Sequence, residues 1–156
     1  MKSESNKINS LVEFISELEW EFSVTLAFNA AGSSLSPEVC RYKLKGWEAR
    51  VNEALLGREW ARRPGVSGLY VLEKPSTNPH WHGLVRLPTS VSQNGKNDHD
   101  FFPGLAISCW KTLVPAGSVD VQEVYDSKGA AKYISKSLNG NVEYCNFVVP
   151  GEFSSR

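Results

Sequence analysis

Residues 79–87 read Pro79-His80-Trp81-His82-Gly83-Leu84-Val85-Arg86-Leu87. In an extended strand successive side chains alternate between faces. His80 and His82 therefore project from one face, and Trp81, Val85 and Leu87 from the other. The apolar back calls for a sheet packed on a core. Two imidazoles on the front make half of a divalent-metal site, which needs a third donor on the same face.

Working outward, Val66 to Glu73 reads as a second strand, and Lys74-Pro75-Ser76-Thr77-Asn78-Pro79 as a hairpin loop joining it to the first. If the hairpin pairs Glu73 with His80 or with His82, all three side chains share one face, because directly opposed residues point the same way. A slip of one residue would substitute Lys74, which cannot ligate in its charged form. Two imidazoles and a carboxylate suit Mn²⁺, Mg²⁺ or Zn²⁺, with positions left open for substrate oxygens. Asp98-His99-Asp100 is a competing cluster. It falls at the end of a segment, Pro88 to Asp100, whose Ser, Asn, Gly and Asp content predicts a mobile loop.

The remaining elements follow from periodicity. Glu19 to Phe28 alternates without a break, placing Trp20, Phe22, Val24, Leu26 and Phe28 on one face of a strand. Ser36-Pro37 opens a helix, with Ser36 as N-cap and Pro37 at the first helical position. Its core stripe is Cys40, Leu44, Trp47, Val51, Ala54 and Leu55; Gly57 is a stop, although Glu59-Trp60-Ala61 could extend the helix. A later helix buries Ala106, Cys109, Trp110 and Leu113, and ends at Pro115. Ser118 to Tyr125 is a strand, Ser127 to Leu138 a helix capped by Asp126, and Val142 to Val149 a last strand. The order is strand, helix, strand, strand, helix, strand, helix, strand. Hairpin pairing with helices packed on the sheet predicts an α+β sandwich of ferredoxin-like type.

The 156 residues, 41% of them hydrophobic, fit one domain with a true core. Residues 19–149 are expected to form that core, with 1–18 as an N-terminal extension carrying a weak amphipathic turn around Leu11, Phe14, Ile15 and Leu18 that could form a short helix, and 150–156 as a loose tail. Seventeen basic residues balance seventeen acidic ones, which argues against a non-specific polyanion binder and leaves room for a local basic face. No apolar run approaches the roughly 18 residues that span a bilayer, and the N-terminus lacks a signal-peptide pattern. Cys40, Cys109 and Cys145 are scattered and odd in number. They read as reduced core residues of a cytoplasmic protein.

The helix from Ser127 to Leu138 carries a second chemical feature. Its apolar stripe is Ala131, Ile134 and Leu138. Tyr133 lies about 100° from Ile134, outside that stripe. Lys136, three residues on, can stand beside the phenol or beside a phosphate that the phenol attacks. A free phenol, with a pKa of about 10, is a poor nucleophile at neutral pH. A metal that polarises the phosphate and a nearby cation make the attack feasible.

Together these stretches resemble a known family. His80-Trp81-His82 is similar to the histidine–hydrophobe–histidine motif of HUH endonucleases. Tyr133-Ile134-Ser135-Lys136 resembles the tyrosine-x-x-lysine motif of single-tyrosine rolling-circle replication initiators. Phe22-Ser23-Val24-Thr25-Leu26-Ala27-Phe28-Asn29 is similar to that family's first motif. The likeness spans about residues 19–140. It implies a five-stranded antiparallel sheet carrying the metal site, with Mn²⁺ or Mg²⁺ on His80, His82 and Glu73 orienting a scissile phosphate. It further implies that Tyr133 attacks that phosphate, leaving a free 3′-hydroxyl and a 5′-phosphotyrosyl link, with Lys136 assisting. The implied substrate is single-stranded DNA, such as an origin stem-loop, with Arg62, Arg63, Lys74, Arg86 and Lys132 as candidate contacts. The chain has no Gly-x-x-x-x-Gly-Lys-Ser/Thr phosphate loop, so a host or accessory helicase is the expected partner unless this is a fragment. Two other readings stay open: a transposase or relaxase of the same chemistry, and a ferredoxin-like nucleic-acid-binding module in which the histidines are structural.

Overall fold

The alternation around Phe22 to Phe28 supplies the central partner of the histidine strand. The computed structural model describes residues 4–30, 35–88, 98–138 and 146–154. In chain order these form α1 (Glu4–Glu17), β1 (Phe22–Ala27), α2 (Pro37–Leu56), β2 (Ser67–Glu73), β3 (His80–Arg86), α3 (Asp98–Leu113), β4 (Ser118–Glu123), α4 (Ser127–Leu138) and β5 (Phe147–Val148). The sheet is five-stranded in the order β4-β1-β3-β2-β5, and every neighbouring pair is antiparallel. The fold is α+β, with four helices flanking that sheet. From β1 through β4 the element and strand orders match the split β-α-β plan of ferredoxin-like domains.

The two faces of the sheet bury separate cores. On one, Phe22, Val24, Leu26, Tyr70, Leu72, Trp81 and Val85 meet Cys40, Leu44, Trp47, Val51 and Leu55 of α2 and Phe102, Ala106 and Trp110 of α3. On the other, Leu69, Val71 and Leu84 meet Ile15 of α1, Trp20, and Ala131 and Ile134 of α4. A buried indole needs an acceptor for its N–H. Each of the four buried tryptophans has a backbone carbonyl: Trp20 uses Ile15, Trp47 uses Ala106, Trp81 uses Cys40 and Trp110 uses Ala27, at 2.9–3.1 Å. Helix α2 begins as its sequence predicts, with Ser36 Oγ accepting from Val39 N at 3.2 Å. It ends at Gly57, whose φ of 84° is a conformation that suits glycine.

Several expectations are corrected. Trp20 does not share a face with Phe22. The strand starts only at Phe22, and Trp20, still outside it, turns into the opposite core under α1. The N-terminal segment is more than an extension: α1 (Glu4–Glu17) packs on α4 and Ile15 is fully buried. Residues 150–154 are not loose, because Glu152 pairs with Arg41 of α2 and accepts from Val149 N, and Phe153 packs on the first core. In α2, Ala54 is exposed and Leu56 is buried in its place, along with the polar Glu48 and Asn52. Asp98-His99-Asp100 does not lie in a loop but forms the first turn of α3. The last strand is confined to Phe147–Val148 among the described residues, and 89–97, 139–145 and Cys145 with them lie outside those residues. Cys40 is buried and Cys109 half-buried, both as free thiols. Among the described residues no helix is long and apolar enough to cross a membrane.

Candidate active site

Hairpin register decides what faces the histidines. Strands β2 and β3 pair Glu73 with His80 and Val71 with His82, so Glu73, His80 and His82 stand on the α1/α4 face. The connecting turn leaves Glu73 through Lys74, whose φ of 48° reverses the chain at once. Lys74 O then accepts from Thr77 N and Asn78 N at 3.2 and 3.0 Å. That tight turn sets Asn78 O 2.9 Å from His80 Nδ1.

The three predicted ligands interlock. Glu73 Oε2 is 3.0 Å from His80 Nε2, and Glu73 Oε1 is 3.6 Å from His82 Nδ1. Ser137 of α4 donates to Glu73 Oε1 at 2.9 Å. Burial pushes the Glu73 carboxyl up, but the Ser137 hydroxyl and the two imidazoles outweigh it and hold it below its ordinary value. The carboxylate is thus kept charged between two nitrogen donors. Glu73 is hydrogen-bonded to His80 and lies within ion-pair distance of His82, and among the described residues no group of three His, Cys, Asp or Glu converges as a ready metal cage.

The donors nevertheless fit a divalent cation chemically. His80 faces an acceptor at both ring nitrogens, the Asn78 carbonyl and the Glu73 carboxylate. With Nδ1–H given to the carbonyl, Nε2 meets a carboxylate oxygen lone pair to lone pair. In that tautomer a divalent cation could be shared by Nε2 and the carboxylate. A ring N–H donated to a backbone carbonyl is the usual outer support of a metal-bound imidazole.

Helix α4 brings the tyrosine to the same place. Asp126 caps it through Gly129 N at 3.1 Å, and Ser127 Oγ accepts from Trp20 N at 2.8 Å. Ala131 and Ile134 bury its inner stripe, which leaves Tyr133 at the rim, 63% exposed. The Tyr133 and His82 rings meet edge to face with centroids 5.4 Å apart. Both line a cavity of about 300 Å³ with Ser23, Leu84, Glu123, Val124, Tyr125, Asp126 and Ala130.

Glu73, His80, His82 and Tyr133 are therefore brought together, with the exposed Lys74 next to Glu73. Among the described residues Lys136 has no hydrogen bond or ion pair with Glu73. Ser137 makes that contact, and Lys136 and Lys132 line a groove between α4 and α1 on the helix's other flank. Arg86 shares the histidine face but sits six residues along β3 from His80, roughly 20 Å away at strand rise. Arg62 and Arg63 precede Ser67, the residue paired with Arg86, at that same far end, and Arg62 is held by Glu59 at 3.1 Å. Asp98-His99-Asp100 lies across the sheet. The His99 ring packs on Phe22 at 4.6 Å, and its Nδ1 is 3.3 Å from Glu123 Oε1. The sequence reading missed Ser137, four residues after Tyr133 and hence on its side of the helix. It also missed the Asn78 carbonyl, which only the turn geometry reveals.

No known family model matches the chain, and no curated protein or solved structure matches it.

Proposed function

We propose that the chain is a metal-dependent endonuclease that nicks and rejoins single-stranded DNA through a tyrosyl intermediate, in the manner of single-tyrosine HUH replication initiators. One observation carries the reading. An exposed phenol, Tyr133, stands edge to face against His82, in a cluster where Glu73 bridges His82 and His80. A buried structural tyrosine would not be 63% exposed at the mouth of a cavity.

In the proposed step the Tyr133 oxygen attacks phosphorus. The new O–P bond forms as the P–O3′ bond breaks, the phenol gives up its proton, and the departing O3′ takes one up to become a free hydroxyl. Rejoining reverses this with a strand 3′-hydroxyl as attacker. A divalent cation on Glu73, His80 and His82 would supply Lewis-acid polarisation of the phosphate, which matters because no Lys or Arg lines the cavity. Asn78 O and Ser137 hold the His80 ring and the Glu73 carboxylate in place. His82, wedged between Glu73 and the Tyr133 ring, fixes the spacing of the nucleophile from that cluster.

The test is incubation with a single-stranded DNA hairpin and Mn²⁺, with and without EDTA, resolved on a denaturing gel. A slower-migrating protein–DNA band that disappears with EDTA is expected. Its absence across hairpins drawn from replication origins and transposon ends would refute the reading. A non-catalytic module is favoured by one fact only: Glu73 already has Ser137 and His80 as hydrogen-bond partners. In that case neither Mn²⁺ nor EDTA would alter any property of the protein.

A further inference from the structure

The cavity beside Tyr133 has no cationic lining, yet the adjacent flank of the same helix is basic. Lys128, Lys132 and Lys136 recur every fourth residue on α4. With Ala131 and Ser135 they line a groove of about 330 Å³ against Val12 and Ser16 of α1. Four residues advance an α-helix by about 6 Å and turn it only about 40° past a full turn. The three ammonium groups thus form one file. All three lysines are exposed, and among the described residues none forms an ion pair. Helix α4 itself contains no Asp or Glu, and its capping Asp126 lines the cavity on the Tyr133 side and not the groove, so the groove's charged lining is the three lysines alone. The groove's α1 wall is Val12 and Ser16. Glu13 and Glu17 each follow a groove residue by one position, about 100° further round that helix, and neither lines the groove.

We infer that this groove is a phosphate track for the backbone of single-stranded nucleic acid, and that Lys136 belongs to it and not to the chemistry at Glu73. The inference rests on the endonuclease reading for the identity of the polyanion, and on the groove itself for the rest. A file of ammonium groups suits a linear row of phosphates, each neutralised with release of counterions. The lysine file and Tyr133 sit on adjacent flanks of one helix, so a strand lying along the groove is delivered to the nucleophile. An anionic bilayer is the poorer match. Helices that lie on membranes push apolar residues out beside their cations, whereas here the apolar Ala131 is buried at the groove floor.

The test is fluorescence anisotropy of the full chain with a labelled oligothymidylate in EDTA, so that binding is read without chemistry, across a salt series. Each single-strand phosphate contact contributes about 0.7 to the slope of log affinity against log salt. The Lys128→Gln/Lys132→Gln/Lys136→Gln variant should lose about 2 from that slope, and Lys136→Gln alone about 0.7. The triple Lys→Arg variant should keep the wild-type slope, as should Lys45→Gln on α2. Circular dichroism melting of each variant separates loss of binding from loss of fold. An unchanged slope in the triple variant, or in Lys136→Gln, overturns the inference. So does wild-type binding to phosphatidylserine-containing vesicles without binding to the oligonucleotide. If the slope falls as expected while no covalent adduct forms with Mn²⁺, the track stands and the endonuclease reading fails; the converse result separates them the other way.

Discussion

Replacing Ser137 with Ala removes one hydrogen bond and probes how the site is held. Ser137 Oγ donates to Glu73 Oε1 at 2.9 Å, a bond to a charged acceptor of the kind that contributes about 1.5–3 kcal/mol. The Glu73 side chain is 31% exposed, so water can replace part of the lost bond and the expected destabilisation is about 1 kcal/mol. The pH dependence follows with a definite sign. The Glu73 carboxyl lies below its ordinary value of 4.5 in the folded protein. It therefore adds stability above that value, which is lost as pH falls through the lower folded one. Without Ser137 the folded value rises toward 4.5 and this acid-side loss shrinks. The larger consequence concerns the cation. Loss of an outer partner that orients a ligand typically weakens metal binding about 10–100-fold. Isothermal titration with Mn²⁺ at neutral pH reads that directly, and Ser137→Thr, which keeps the hydroxyl, should restore most of it. If Ser137→Ala bound Mn²⁺ as tightly as wild type, the carboxylate would not depend on this support. If wild type bound no Mn²⁺ at all, the three donors would not form a metal site.

Other perturbations address the scaffold. Burial pushes the Glu48 carboxyl up to about 7 despite the Tyr70 hydroxyl that donates to it at 2.9 Å, and the charge of Glu152 adds to the rise. A raised folded value means the stabilisation is complete below 4.5 and is lost as pH climbs through about 7. Urea denaturation should therefore give wild type up to about 3 kcal/mol less stability at pH 8 than at pH 5 from this group. Glu48→Gln should flatten that slope, and an identical slope in the variant would contradict the assignment. At Gly83 a Cβ would fall 2.4 Å from Tyr70 Cδ1, and the buried ring has no free side to move toward. Gly83→Ala should cost about 1–3 kcal/mol and disturb the histidine strand; a change in denaturation midpoint too small to measure would show that the slot is looser than this.

The sheet was legible because its strands alternate. Phe22, Val24 and Leu26 against Ser23, Thr25 and Ala27 fix β1, and the spacing of His80 and His82 fixes which face of β3 carries chemistry. Glu73 was legible from the short hairpin, since opposed residues share a face. What the sequence hides depends on contacts between distant segments. Trp20 continues the alternation of β1 on paper, but α1 offers it a second core and the chain twists before the strand begins. The amphipathic turn around Ile15 marks an apolar face but not its partner, which is α4. Lys136 sits three residues from Tyr133, a spacing that permits a shared site, yet the 60° between them on the helix is enough to send it to the α1 groove while Ser137 meets Glu73. The distance of Arg62, Arg63 and Arg86, the candidate DNA contacts, from His80 also follows only from the register of β2 against β3, which puts them at the far end of the hairpin.

The central claim is that the Tyr133 oxygen becomes bonded to DNA phosphorus. Trypsin cleaves after Lys132 and Lys136, isolating Tyr133-Ile134-Ser135-Lys136 as one peptide. After reaction with single-stranded DNA and Mn²⁺, followed by nuclease trimming, mass spectrometry should find this peptide carrying a 5′-phosphonucleotide, and Tyr133→Phe protein should carry none. A nucleotide on any other residue, or nicking that persists in Tyr133→Phe, would contradict it.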